Sequence, residues 1–173
     1  IQRLGVALTF HGGGLTQLTP DFARHGLDEL MLWHTFNQPL AIQFVTASLC
    51  GGGVLERFPE LRVGLLEGNC SWAPWLLDRL DEHQEWVGWF EGADLSLKPS
   101  DYFRRQCFLS IEAEERTGPQ FVQWFGDDNL LFSTDYPHGD SQFPHAVDTF
   151  DELAAAEATK AKICGPNWER LYR

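Results

Sequence analysis

Short apolar runs alternate along this chain with longer segments in which apolar residues recur at helical spacing. Four runs have the length and continuous hydrophobicity of buried strands, and they cover residues 4–10, 61–67, 107–112 and 130–135. Helices are predicted after Pro39, after an N-cap at Ser71, from Thr117 to Gly126, and over residues 143–172 with a break at Gly165. The chain therefore repeats the order strand, helix.

Strands that alternate with helices pair in parallel through right-handed crossovers, so this order predicts an α/β protein. Two architectures remain at this stage. An open, doubly wound sheet fits 173 residues comfortably. A (β/α)8 barrel typically takes about 250 residues and would need roughly four more strand–helix units.

Composition narrows the classes of partner. The chain has 13 Lys and Arg against 25 Asp and Glu, a net charge of −12, and 43% hydrophobic residues. The acidic balance argues against nucleic acid or an anionic membrane as partner, and no apolar run reaches the roughly 18–20 residues of a membrane span.

The cysteines form no C-x-x-C pair and are predicted to be reduced core thiols, which indicates a cytoplasmic protein. The chain enters a predicted strand directly, without a signal peptide, and we expect Ile1 to be a cut rather than a beginning.

Candidate chemistry lies at the strand ends, because the carboxyl ends of parallel strands meet at one edge of the sheet. The first run ends in His11 followed by three glycines. Three interpretations fit this motif: a metal-ligating histidine, a tight turn, or the oxyanion loop of an esterase. The esterase needs a G-x-S-x-G nucleophile motif, and the sequence has none.

The fourth run ends in Asp135, followed by Tyr136, Pro137 and His138. A carboxylate at the end of a buried strand needs a cation, and no Lys or Arg lies within five residues of Asp135. An aspartate beside a histidine suits Zn²⁺ or a similar divalent ion. The alternative is that Asp135 caps the next helix.

Four blocks in order resemble the amidohydrolase-related family of metal-dependent barrel hydrolases and decarboxylases, including the aminocarboxymuconate-semialdehyde decarboxylase type. The blocks are GGGVLERFPELRV at residues 51–63, LEGNCSWAP at 66–74, STDYPH at 133–138 and NWERLY at 167–172. The resemblance runs from about residue 5 to 173. It implies a small-molecule substrate and a divalent metal, usually zinc.

The family holds its metal through an H-x-H on the first strand, a histidine after the fifth and an aspartate after the eighth. By this resemblance, His11 and Asp135 are metal ligands, and Asp135 also moves a proton in catalysis. The H-x-H is absent here. The resemblance therefore implies that residues 1–173 are one partial domain, the C-terminal half of a TIM barrel with strands five to eight.

The resemblance also implies further site residues. Glu67 stands where many decarboxylases carry a histidine, and it is a candidate general base. Arg79 matches an arginine that grips a substrate carboxylate, with Trp72 on nearly the same helix face, although a surface pair with Asp78 or Glu82 is the simpler alternative. His138 is expected to face the site.

Two other features are expected to be structural. His34 at the start of a long helix is expected to be a packing residue, and the charged run at residues 112–116 is interpreted as solvated.

Three functions remain open. Hydrolysis of a small cyclic or carboxylated compound by metal-activated water is the first expectation, and decarboxylation of an aromatic or enoic acid is the second. The third is an incomplete barrel that binds metal weakly or not at all, or that pairs with a second copy as a homodimer.

Overall fold

Four parallel strands form one sheet in a computed structural model that describes residues 1–13, 29–91 and 95–173. The strands are β1 (Leu8–His11), β2 (Val63–Leu66), β3 (Cys107–Ile111) and β4 (Leu130–Phe132), and they lie in the order β1-β2-β3-β4. Thr9 pairs with Gly64, which pairs with Phe108. The order never reverses, whereas a doubly wound sheet has a reversal point. The sheet is therefore wound in one direction, as in a barrel.

Helices connect and follow the strands. They are α1 (Leu30–Gly51), α2 (Val54–Arg57), α3 (Ala73–His83), α4 (Trp89–Glu91), α5 (Pro99–Gln106), α6 (Gly118–Phe125), α7 (Ala146–Asp151), α8 (Glu157–Cys164) and α9 (Pro166–Tyr172). A π-helical turn (Gln84–Gly88) joins α3 to α4, and a 3₁₀ turn (Gln2–Leu4) precedes β1.

The structure confirms the four predicted strands and corrects several boundaries. The first strand begins at Leu8, because the 3₁₀ turn before it ends at Gly5 with a φ of 66°. The first long helix begins at Leu30 and contains Pro39 in its interior rather than in its first turn. Trp72, not Ser71, is the N-cap residue of α3.

Both faces of the sheet are covered, as the alternation along β3 shows. Leu109 belongs to a large cluster with Ile42 of α1 and Leu77 of α3, whereas Phe108 points the other way and packs with Leu171 of α9. Every residue of β3 is buried. This packing fixes the strands, so their carboxyl ends form one edge of the sheet in a defined arrangement.

Two sequence expectations about environment can be compared with the structure. Within the described ranges, no helix is long and apolar enough to cross a membrane. The four cysteines are free thiols, and Cys50, Cys70 and Cys107 are buried as predicted. Cys164 is exposed near the end of α8, so its assignment to the core is wrong.

Candidate metal centre

A cavity of about 530 Å³ opens at the carboxyl-terminal edge of the sheet. Its wall is rich in carboxyl groups, contributed by Glu67, Glu112, Glu114, Asp135 and Asp140. His34 and His138 line the same cavity, and none of the described residues in its lining is Lys or Arg. A wall of this kind attracts cations and repels anions.

Glu67 and Asp135 reach this cavity from sharply turned backbone. Glu67 directly follows β2 and has a φ of 55°, and Asp135, in the loop after β4, has a φ of 57°. Asn69 has a φ of 56°, and these three are the non-glycine residues with positive φ in the described part of the chain. Such conformations are unfavourable for residues with a Cβ and concentrate at functional sites.

Neighbouring groups hold the backbone of Glu67 and Asp135 in place. The backbone N–H of Glu67 donates to Ser110 Oγ on β3 at 2.9 Å, and that of Asp135 donates to Ser133 Oγ at 3.3 Å. Gly12 lets the end of β1 approach the end of β2 closely. A Cβ at this position would lie only 2.1 Å from the carbonyl oxygen of Glu67. The strand ends are therefore in close contact.

Glu67, Asp135 and His138 form a cluster with one ligand atom from each residue, all within 4.8 Å of one another. The Nδ1 atom of His138 lies 2.9 Å from Asp135 Oδ1. This hydrogen bond, with the negative charges of Asp135 and Glu67, raises the pKa of His138. Two carboxylates and an imidazole are ligands that Zn²⁺ and Mn²⁺ accept, so the donor set fits a divalent ion.

His11 lies beside this cluster as the last residue of β1. Its Nε2 contacts Glu67 Oε2, and its Nδ1 lies 2.9 Å from the carbonyl oxygen of Gly12. A carbonyl oxygen only accepts, so Nδ1 carries the hydrogen there. Nε2, which faces Glu67, is then the nitrogen that an ion between the two side chains would meet, since many metal-bound histidines donate from their other nitrogen to a carbonyl. The structure thus brings His11 and Asp135 to the same edge, on either side of Glu67.

Glu112 is a cavity residue that the sequence pattern assigned to a solvated charged run. It follows β3, is half-buried and lines the cavity. Burial first, and then the negative charge of Asp135, raises the pKa of Glu112 to about 8. This carboxyl group therefore carries a proton at neutral pH and can donate it.

Glu115 is the second correction to the predicted solvated run, because it is only 8% exposed. Its Oε1 accepts hydrogen bonds from the backbone N–H groups of Cys70 and Ser71, both at 2.8 Å, and from Ser71 Oγ. Its Oε2 accepts from the backbone N–H of Glu112 at 3.2 Å. Glu115 therefore ties the loop after Glu67 to the loop after β3. The sequence signal for this role of Glu115 was weak, because Glu112, Glu114 and Glu115 are the same residue type within four positions.

The remaining predicted residues lie in different places. The Arg79 guanidinium donates to Glu82 at 2.8 Å on the exposed face of α3, and Arg79 does not line the described cavity. Trp72 does not line it either, and its indole N–H donates to the carbonyl oxygen of Gly68 at 2.6 Å. His34, expected to be a packing residue, is exposed on the cavity wall, 3.7 Å from Asp140 Oδ2.

Comparison with known families adds to this geometry. The model of the amidohydrolase family matches residues 1–173. The chain belongs to the amidohydrolase family. The expected family resemblance is thereby confirmed.

Curated relatives in this family include decarboxylases. A gamma-resorcylate decarboxylase of Polaromonas sp. is 27% identical over 80% of this chain, and one of Rhizobium sp. is 28% identical over 72%. The chain spans only 41% and 38% of these two proteins.

Solved structures show the same partial coverage. The 5-carboxyvanillate decarboxylase of Sphingomonas paucimobilis matches 100% of this chain at 26% identity and a TM-score of 0.75, over 51% of its own length. An amidohydrolase of Mycobacterium avium subsp. paratuberculosis gives a TM-score of 0.81 at 24% identity, over 98% of this chain and 43% of its own length. The predicted α/β fold, part of a (β/α)8 barrel, is confirmed.

The bound metal in one related structure bears on the expected cofactor. A dihydroxybenzoic acid decarboxylase of Polaromonas sp. has a TM-score of 0.76 at 23% identity, and it contains manganese and 2-nitroresorcinol. This decarboxylase structure thus contains a divalent metal. Zinc, expected from the family resemblance, stays a prediction.

Proposed function

We propose that the chain is the metal-binding part of a divalent-metal-dependent carboxy-lyase that acts on a small aromatic acid. The observation that carries this proposal is the cluster of Glu67, Asp135 and His138, whose ligand atoms lie within 4.8 Å at the carboxyl ends of the strands. The decarboxylase relatives support the carboxy-lyase reaction over other reactions of the family.

The ion would be held by Asp135, Glu67 and His138, with His11 beside them as the further ligand expected from the family. When bound, a divalent ion neutralises the acidic wall and polarises oxygen atoms of the substrate. Zn²⁺ and Mn²⁺ both suit this set, because imidazole favours zinc and carboxylates favour manganese.

Loss of carbon dioxide from an aromatic acid breaks one carbon–carbon bond and requires a proton at the ring carbon that remains. Two groups of this chain are placed to supply it. At the cavity wall, His138 Nδ1 donates a hydrogen bond to Asp135 Oδ1 at 2.9 Å. Glu112 is a second candidate proton donor, because burial, the largest cause of its raised pKa, favours the protonated form of its carboxyl group.

Hydrolysis is the second candidate, and Glu67 is the observation that favours it. A carboxylate there can act as a general base toward a water molecule, as the sequence analysis expected. The absence of Lys and Arg from the described cavity lining also suits a neutral substrate better than an anionic one.

Turnover assays distinguish the two candidates. The chain is loaded with Mn²⁺ or Zn²⁺ and given 2,6-dihydroxybenzoate, the ligand of one related decarboxylase structure, or a cyclic amide, and products are followed by chromatography. We expect loss of carbon dioxide from the acid, abolished by a chelator and by Asp135→Asn but not by Glu114→Gln. Cleavage of the amide with no reaction of the acid would favour hydrolysis.

A homodimer and a cytoplasmic location, both expected from the sequence, stay predictions. The mass of the chain in solution tests the first. The substrate in either candidate reaction is a small molecule.

A further inference from the structure

A second cavity, of about 380 Å³, opens at the opposite end of the sheet, where the strands begin. Its volume lies near the lower end of the range for small-molecule sites, about 300–1,000 Å³. Four arginines line it: Arg62, Arg105, Arg170 and Arg173. The whole sequence has only 13 Lys and Arg, so a large share of its positive charge converges here.

Two of these arginines are held rigidly by neutral acceptors. Arg62 donates from Nε to the carbonyl oxygen of Leu171 at 2.8 Å, and from Nη2 to the backbone oxygens of Gly5, at 2.6 Å, and of Arg173. Arg105 donates from Nη2 to the carbonyl oxygen of Leu55 at 2.8 Å and from Nε to Gln106 Oε1 at 2.8 Å. In the described part of the chain, Nη1 of Arg62 and Nη1 of Arg105 have no hydrogen-bond acceptor.

The positive charge is also largely uncompensated. Arg170 pairs with Asp128 at 3.2 Å. Among the described residues, no Asp or Glu side chain forms an ion pair with Arg62, Arg105 or Arg173. Of the described residues that line this cavity, Glu60 is the one with a side-chain carboxylate. Because the chain carries a net charge of −12, we expect an anion to bind only where the local charge is positive. The four arginines make the local charge positive at this cavity.

We propose that this arginine-lined cavity binds the phosphate group of a small molecule or free phosphate. Arginine presents planar, forked donors that match phosphate oxygens, and guanidinium groups already fixed by carbonyl oxygens lose little freedom on binding. The site is separate from the acidic cavity, at the other end of the strands, and it does not depend on the proposed reaction.

The test is a calorimetric titration of the purified chain with inorganic phosphate and, separately, with glycerol 3-phosphate, in sodium chloride of matched ionic strength. We expect saturable binding of at least one of them. Arg105→Gln and Arg173→Gln should each weaken it by about tenfold or more, as expected for loss of a charge-assisted hydrogen bond. Arg57→Gln, on the exposed surface of α2, removes the same charge and should leave it unchanged.

Glu60→Gln gives a result that misfolding cannot imitate, because removal of the acidic side chain from the described lining should tighten binding. Tighter binding of the ester than of free phosphate would identify a phosphate ester as the ligand, and the reverse order would identify free phosphate. A signal that does not saturate, or one that Arg57→Gln weakens as much as Arg105→Gln, would overturn the proposal.

Discussion

The Nδ1 atom of His138 lies 2.9 Å from Oδ1 of Asp135, three residues earlier in the chain. An outwardly similar pair occurs on the surface, where His145 Nδ1 lies 3.5 Å from Asp148 Oδ2. Only the first pair lies on the cavity wall beside Glu67.

His138→Ala should therefore lower the affinity for Mn²⁺ or Zn²⁺ by at least about tenfold, because it removes a proposed ligand that also donates to Asp135. His145→Ala is the matched control and should leave the affinity unchanged. Calorimetric titration with the metal measures both. An equal loss in the two variants would argue against a role for His138.

Glu115→Ala should destabilise the chain by about 3 kcal/mol, because it leaves the N–H groups of Cys70 and Ser71 without their acceptor. Urea unfolding followed by circular dichroism measures this loss. Glu114→Ala removes the neighbouring acid, which is exposed, and should change the free energy of unfolding by less than about 0.5 kcal/mol. Similar values for both variants would show that the contacts of Glu115 contribute little.

Gly12→Ala should destabilise the chain by about 2 kcal/mol or more, because the new Cβ would meet the carbonyl oxygen of Glu67 and the side chain of Gln38. Gly139→Ala is the control, since a Cβ there meets nothing within 4 Å. Thermal unfolding of both variants tests the prediction. A Gly12→Ala protein as stable as the control would contradict the close approach of the β1 and β2 ends.

Acid sensitivity should depend on Asp127. Its carboxylate accepts from Lys162 Nζ at 2.6 Å and from Thr159 Oγ1 at 2.8 Å, and these bonds, that of Lys162 first, lower its pKa. Because the native pKa is the lower one, this stabilisation is fully present above the ordinary pKa of aspartate, about 4, and is lost as the pH falls through the native value.

Asp127→Asn should therefore lower stability most at neutral pH, and its difference from the wild type should shrink below about pH 4. Urea unfolding over a range of pH measures this difference. Asp78→Asn, on the exposed face of α3, should show no such trend. A difference that is constant with pH would mean that the Asp127 pKa is not lowered.

The sheet was predictable because its strands are continuous apolar runs bounded by polar residues, and all four were identified. Their carboxyl ends were predictable too, since parallel strands place His11, Glu67 and Asp135 at one edge. The boundaries of the helices were less predictable than the strands. Pro39 suggests a helix start from local rules, yet α1 runs through it with Ile42 packed in the core.

The roles of the acids after β3 could not be predicted, because they depend on contacts between distant segments. Glu112 and Glu115 look like neighbouring surface acids in sequence, but one lines the cavity and the other bonds Cys70, 45 residues away. His34 also reaches the cavity through the direction of α1, which a local pattern does not specify.

The central claim is that Asp135 and Glu67 hold a divalent ion, and metal binding tests it most directly. The purified chain is stripped with a chelator and titrated with Mn²⁺ and Zn²⁺ by calorimetry, alongside Asp135→Asn, Glu67→Gln and Glu114→Gln. Each variant removes one negative charge from the same cavity wall. We expect the wild-type chain to bind one ion. Binding should be lost in Asp135→Asn, at least tenfold weaker in Glu67→Gln, and unchanged in Glu114→Gln. An equal affinity in all four proteins would contradict the account.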